Sequence, residues 1–419
     1  MKIWGALTRL RFAAAVLVLI TYFIPVEAAP APPRITAESA ILIDAATGKV
    51  LYTKQCRKRR PPASTTKIMT AILALENGRL EDTCTASPYA TSTPYGSLNL
   101  KPGETLTLQD LLYAMLLRSA NDGAVCVAEH ISGTEPDFVD FMNKKAMEIG
   151  AKDTRFANPH GLYAQGHYST AYDLALIARY AIRNPNFNSM VKTRTERINR
   201  SINKKDVHLI NTAKILWRYQ GSDGIKTGYT KEAGHCFVGS ATRGGWRLIT
   251  VVLKSNNSGK DTQELFNYGF KYFKGISFIQ PNQVIETVPV TGGVKETVAL
   301  VGADWLGTVE KKNTPAHAES KIRLKKAVAP IKKGEKLGTI TGFVNGREIG
   351  TVDLVAAESV DRTFIAAVKN FTRSIFLALC IFLLGFMAYG TTVAKAARRR
   401  RRGIQKRSRK TNLRRPRIR

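Results

Sequence analysis

Apolar and polar positions along the chain fall into distinct textures. Between residues 36 and 275, short alternating runs enclose longer stretches with helical spacing. Residues 40–44 and 49–52 alternate and predict two strands of a hairpin, closed by Ala45-Ala46-Thr47-Gly48. The spacing turns helical from 100 to 130, most clearly over 108–117. It breaks at Arg118-Ser119-Ala120-Asn121-Asp122-Gly123, and a second helix follows over 124–130. Residues 137–149, 169–181 and 261–273 predict further helices, the second opened by a capping residue. Residues 223–229, 234–241 and 246–253 predict strands, the last two joined through Thr242-Arg243-Gly244-Gly245. Strands at both ends with helices between them define an α+β domain whose sheet is mainly antiparallel.

From 279 to 358 the texture changes. Short β-rich runs at 284–290, 297–301, 318–324, 338–344 and 350–355 are broken by Gly, Pro, Asn and Lys. That spacing predicts a small all-β sandwich serving as a spacer or docking module. Residues 359–373 are expected to form a short helical stalk into the membrane. The two ends are different again. Lys2, Arg9 and Arg11 precede an apolar run over 12–25, and Val26-Glu27-Ala28 offers small residues for cleavage, so 1–28 is expected to be a signal peptide. Residues 374–393 carry no charge over 20 positions, enough to cross about 30 Å of hydrocarbon as a helix.

Charge sharpens this picture. The net charge is +32, and residues 394–419 supply 14 of it with no acid among them. A basic tail after a single span, behind an exported N-terminus, is expected in the cytoplasm, against anionic lipid headgroups. The expected location is therefore the cell membrane, single-pass, with the globular part on the extracytoplasmic side. A basic run of this kind does not call for nucleic acid, and none is expected. Cys56, Cys84, Cys126, Cys236 and Cys380 are scattered, with no C-x-x-C and no Cys/His cluster, so no metal and no cofactor is expected. Free or buried thiols are expected rather than a disulfide framework.

The candidate chemistry begins at Ser64 and Lys67. Positions i and i+3 share a helix face, so a hydroxyl and an amine at this spacing meet if Ser64 opens a helix. A serine is a poor nucleophile without a neighbouring base, and a lysine serves as that base only when burial or a second cation lowers its pKa. Alone, S-x-x-K reads as a capping serine followed by a surface lysine. It is not alone: Ser119-Ala120-Asn121 and Lys226-Thr227-Gly228 follow in order, about 50 and about 100 residues apart. These three motifs together mark penicillin-binding proteins and class A β-lactamases.

On those motifs the chain resembles the D-alanyl-D-alanine carboxypeptidases, the low-molecular-mass penicillin-binding proteins. ILIDAATGKVLY, PPASTTKIMTA, RSANDGA, NPHGL, HYSTAYDLA, DGIKTGYT and WRLITVVL sit where that family has similar segments. The resemblance implies a penicillin-binding/β-lactamase-like transpeptidase domain over 36–275, followed by the β-module over 279–358. It implies peptidoglycan stem peptides as substrate and β-lactams as acylating inhibitors. It implies Ser64 as nucleophile, Lys67 as base and Ser119 as proton relay. Asn121 would hold Lys67 and the substrate amide, while Lys226 and Thr227 would receive the terminal carboxylate. Gly228 would let substrate lie against backbone. The oxyanion would be met by two backbone N–H groups, one from Ser64 and one from the strand region reaching as far as His235. The family's arginine after the strand ending near Leu253 is missing, and Lys254 or Lys260 is the expected substitute. His160 and His167 are expected to be loop and cap residues, Asp122 a helix-start charge and Cys126 core. Two alternatives stand beside this reading. One is a β-lactamase, although Glu129, Glu135, Glu148 and Glu196 all lack the asparagine four residues on that class A enzymes carry. The other is a catalytically idle wall-binding protein.

Overall fold

The computed structural model describes residues 31–280 and 282–364, together with scattered positions between 381 and 402. The expected leader lies outside the described residues. The expected span and tail do too, apart from those scattered positions. Among the described residues no helix is long and apolar enough to cross a membrane. The described chain divides into two compact units, one built from the residues up to 276 with 308–315, the other from 277–307 with the residues after 315.

The first unit is organised by a five-stranded sheet. Its strands are β1 (Ser39–Asp44), β2 (Val50–Lys54), β3 (Ser222–Thr230), β4 (Gly234–Arg243) and β5 (Trp246–Ser255), in the order β2-β1-β5-β4-β3. Every neighbouring pair is antiparallel. The period-2 pattern is used on both faces. Ile41, Ile43, Ile249 and Val251 enter one apolar core, while Ala40, Leu42, Leu248 and Val252 enter another. Side chains of 258–272 fill the second core, and those of 67–77, 121–132 and 171–181 fill the first.

Helix α1 (Lys67–Asn77) is rich in Ala and Leu, which suits a helix, and residues 67–74 are buried on every side. A helix apolar all round must run through the core rather than over it. Helix α2 (Asn121–Ser132) is likewise buried over its first eight residues. Helix α3 (Ala171–Ala181) is opened by the Thr170 hydroxyl, which accepts from the Asp173 amide, so Thr170 and not Ser169 is the cap. Helix α4 (Ser258–Tyr272) starts three residues before the expected 261 because Asn257 caps it.

The expected helix over 100–117 is shorter than its pattern. Residues Thr105–Thr107 pair with Thr83–Thr85, and the helix proper is Leu108–Tyr113. One π-turn, Ala114–Arg118, then ends at Ser119, whose φ is 68°. The widened turn accommodates the break that the sequence shows at 118–123.

In the second unit six strands hydrogen-bond in one order. Five of them carry the runs expected there: Val284–Thr291, Thr297–Gly302, Ala318–Leu324, Lys336–Val344 and Arg347–Ala356. The sixth, Ala327–Val328, is too short to leave an alternating signature, and it pairs in parallel with Val284–Thr291. Val288, Val298, Leu300, Ile340 and Leu354 form this unit's core.

Candidate active site

Ser64 stands on a 3-10 turn, Ala63–Thr66, that runs directly into α1. The hydroxyl is therefore one tight turn ahead of the α-helix rather than on it, and Lys67 is the first α-helical residue. The spacing argument survives this change: Lys67 Nζ lies 3.2 Å from Ser64 Oγ.

Lys67 is fully buried. Its Nζ donates to Asn121 Oδ1 at 2.6 Å and to the His160 carbonyl at 2.6 Å. Burial, and then the charge of Lys226, push the Lys67 amine well below the ordinary lysine value, against a smaller opposing pull from Asp122. A neutral amine has two N–H groups and one lone pair. With both hydrogens committed to Asn121 and His160, the lone pair is left for Ser64. Asn121 cannot reverse this assignment by turning its amide over, because its Nδ2 donates to the Pro94 and Tyr95 carbonyls at 3.1 and 2.8 Å.

Lys226 is buried on the edge strand β3, and burial lowers it to about 7. Its Nζ donates to the Thr227 carbonyl at 3.1 Å. The Thr227 hydroxyl meets that of Thr212 at 2.9 Å. Gly228 brings β3 against the nucleophile turn. A Cβ there would lie 2.9 Å from Ser64 N and 3.0 Å from Ala63 Cβ, so the close approach that needs glycine is made by the turn itself. Gly161 does the same from another side, with φ +90° and space for a Cβ only 2.0 Å from the Ala63 carbonyl oxygen.

Ser64, Ser119, Asn121, Thr227, Gly228 and His235 line one cleft of about 710 Å³. Lys67 and Lys226 are buried beneath it. Ser119 projects from the left-handed position that ends the π-turn, a conformation rarely held by a residue with a side chain. No hydrogen-bond partner for its hydroxyl is found among the described residues. His235 lies opposite Tyr229 in the β3–β4 register, with the two rings 4.7 Å apart and the imidazole exposed.

Asp122 binds the Ser97 hydroxyl and the Leu98, Leu100 and Gly123 amides, which makes it the anchor of the 97–100 loop. Cys126 is core, and burial raises its thiol. His167 accepts from the Ala157 amide through Nδ1, which leaves its Nε2–H for the Thr66 hydroxyl at 2.9 Å. Burial lowers His167 to about 4 and His160 to about 3, so both are neutral at pH 7. His160 nevertheless touches the site, through its backbone carbonyl. That contact has no side-chain signature; the Asn158-Pro159-His160-Gly161 turn was its only trace in the sequence.

Neither Lys254 nor Lys260 lines the cleft. Lys254 has φ 53° and its amine pairs with Glu38 at 3.0 Å, so the expected replacement for the family's arginine is not found there. Among the described residues no cluster of His, Cys, Asp or Glu could hold a metal, and Cys56, Cys84, Cys126 and Cys236 are free thiols.

A buried lysine aimed at a serine, on a helix packed against an antiparallel sheet with a K-T-G edge strand, defines a serine acyl-transfer fold. Residues 26–257 match the D-alanyl-D-alanine carboxypeptidase family, and residues 273–362 match the C-terminal domain of penicillin-binding protein 5. The chain belongs to the D-alanyl-D-alanine carboxypeptidase family. It is 35% identical over 345 residues to D-alanyl-D-alanine carboxypeptidase DacF of Bacillus subtilis, covering 80% of this chain and 88% of that one. It is 32% identical over 366 residues to DacA of Escherichia coli, covering 83% and 89%. Among solved structures it resembles penicillin-binding protein 5 of Haemophilus influenzae at a TM-score of 0.60 and 27% identity, covering 80% of this chain and all of the other.

Proposed function

We propose that this chain is a serine-type D-alanyl-D-alanine carboxypeptidase. It removes the terminal D-alanine from peptidoglycan pentapeptide stems through an acyl-enzyme on Ser64, and β-lactams acylate the same residue. Family membership supports the activity. The observation that carries the mechanism is the hydrogen-bond arrangement at Lys67, with both amine hydrogens held by Asn121 and His160 and Ser64 Oγ 3.2 Å away.

Ser64 Oγ attacks the carbonyl carbon between the two D-alanines while its proton passes to Lys67 Nζ. The oxyanion is met by the Ser64 N–H and by one N–H of the strand pair carrying Thr227 and His235. One such donor is worth about 3–4 kcal/mol of barrier. Collapse breaks the C–N bond, and Ser119 passes a proton to the departing amine. Lys226 and Thr227 hold the carboxylate of the leaving D-alanine. Water then hydrolyses the ester and frees Ser64.

On this reading the enzyme works on the outer side of the cell membrane, with 374–393 as a single span and 394–419 on lipid in the cytoplasm. The leader-like start, the uncharged run and the basic tail support this. A reporter fused after residue 419 that is active only outside the cytoplasm would contradict it. For the activity, the purified full-length protein is expected to release D-alanine from diacetyl-Lys-D-Ala-D-Ala, and Ser64→Ala is not. Equal release by both removes the assignment.

A further inference from the structure

We infer that Lys214 and Arg218 form a cationic arm that reads the terminal carboxylate of the substrate, in place of a cation following β5. This rests on the carboxypeptidase reading above and identifies residues that set its specificity.

Lys254 is engaged by Glu38, and neither it nor Lys260 reaches the cleft wall. Lys214 and Arg218 do line the cleft, and no carboxylate lines it with them. Both are exposed. No ion pair or hydrogen bond to either side chain is found among the described residues. The cleft wall is therefore positive on this side, with no carboxylate among its described lining residues.

The arm is built rather than loose. Asn211 is buried, and its Nδ2 donates to the Thr193 carbonyl at 2.9 Å. Its Oδ1 receives the Ala213 amide at 2.9 Å. The Thr212 amide donates to the Leu117 carbonyl at 3.0 Å, and the Lys214 amide closes back on the Thr212 carbonyl. Ile215 and Leu216 then plug the second core of the sheet, which leaves Lys214 and Arg218 at either end of the short helix Ile215–Arg218. Neighbouring Arg194 is spoken for, since it donates to the Leu216 carbonyl and lies over the Trp217 ring.

The Thr212–Thr227 hydroxyl contact sets the start of the arm beside the K-T-G strand. It joins the arm to the strand position proposed to receive the terminal carboxylate. Lys226 is poorly suited to hold that carboxylate unaided. It is buried, its amine faces a backbone carbonyl, and burial leaves it only partly charged at neutral pH. Two exposed cationic side chains on the same wall supply the missing field without a desolvation penalty of their own.

The test separates this inference from the activity by measuring binding without turnover. Full-length Ser64→Ala is titrated with diacetyl-Lys-D-Ala-D-Ala and with the same peptide ending in a carboxamide. The acid is expected to bind about tenfold tighter, as a charge-assisted contact would give. Adding Lys214→Ala and Arg218→Ala together should remove most of that preference and leave carboxamide binding unchanged, while Arg218→Lys should keep most of it. Raised salt should weaken the preference of the parent more than that of the double variant. Equal loss on both peptides, or an unchanged preference in the double variant, overturns the proposal. D-alanine release by the wild-type protein decides the activity separately.

Discussion

Lys67 Nζ and Asn121 Oδ1 stand 2.6 Å apart, and the amide that makes this contact is locked by the carbonyls of Pro94 and Tyr95. The asparagine thus offers the amine an acceptor without a charge. A carboxylate in the same place would favour the ammonium and raise the lysine pKa. Asn121→Asp is therefore expected to lower kcat/KM at pH 7 by roughly 10²-fold, the lower end of what general-base catalysis contributes. The acid limb of its pH profile should move up, because Lys67 would lose its proton only at higher pH. An unshifted limb would mean that Asn121 does not set the state of the base.

The two buried lysines also predict how stability depends on pH. Lys226 titrates near 7 in the folded chain and near the ordinary lysine value of about 10.4 when unfolded. Lys67 is lowered in the same sense. Between the folded and unfolded values the unfolded chain binds the proton and the folded chain does not, so stability rises with pH. Below about 7 Lys226 is charged in both states and its burial penalty is fully present. Chemical denaturation from pH 7 to 8, below the unfolded thiol value of about 8.5 at which the buried cysteines begin to oppose it, is expected to show this rise, and Lys226→Met to reduce it. A stability that falls between pH 7 and 8 in the parent would contradict the burial of both amines.

Gly228→Ala should separate packing from chemistry. Its Cβ would press on Ser64 N at 2.9 Å and on Ala63 Cβ at 3.0 Å, both parts of the nucleophile turn. Overpacking of this kind costs about 1–3 kcal/mol. Acylation of Ser64 by a labelled penicillin should slow far more than the melting temperature drops, since the displaced atoms belong to the nucleophile and to one oxyanion donor. A variant acylated at the parent's rate would show that the turn has room to yield.

The Ser64–Lys67 pair was legible because i, i+3 spacing fixes proximity whatever the tertiary fold. That the serine sits on a 3-10 turn was not, since Pro62-Ala63-Ser64-Thr65 suits either kind of helix start. The sheet was legible from alternation, as at Ile41 and Leu42, whose neighbouring side chains enter opposite cores. The contacts that orient the base were hidden because three of them are backbone carbonyls, of Pro94, Tyr95 and His160, and a carbonyl belongs to every residue. The cationic arm was hidden for another reason. Sequence placed Lys254 at the end of a strand but could not show that its φ of 53° and the Glu38 carboxylate turn its amine away.

The lifetime of a penicillin adduct tests the acid-free wall of the cleft. Opening a β-lactam on Ser64 breaks the C–N bond but leaves the amine tethered, so release depends on water reaching the ester with a base to activate it. Among the described residues no carboxylate lines the cleft. The acids nearby are committed elsewhere: half-buried Glu135 to the Tyr89 hydroxyl at 2.7 Å, and buried Asp122 to the 97–100 loop. Lys67, drawn between Asn121 and His160, is the base beside Ser64 among the described residues. Intact-mass spectrometry of the full-length protein is expected to show a one-to-one adduct that outlives the peptide acyl-enzyme by many turnovers and is absent in Ser64→Ala. Recovery of unmodified protein as fast as it turns over the peptide would instead require a deacylating group that this cleft does not contain, and would favour a β-lactamase.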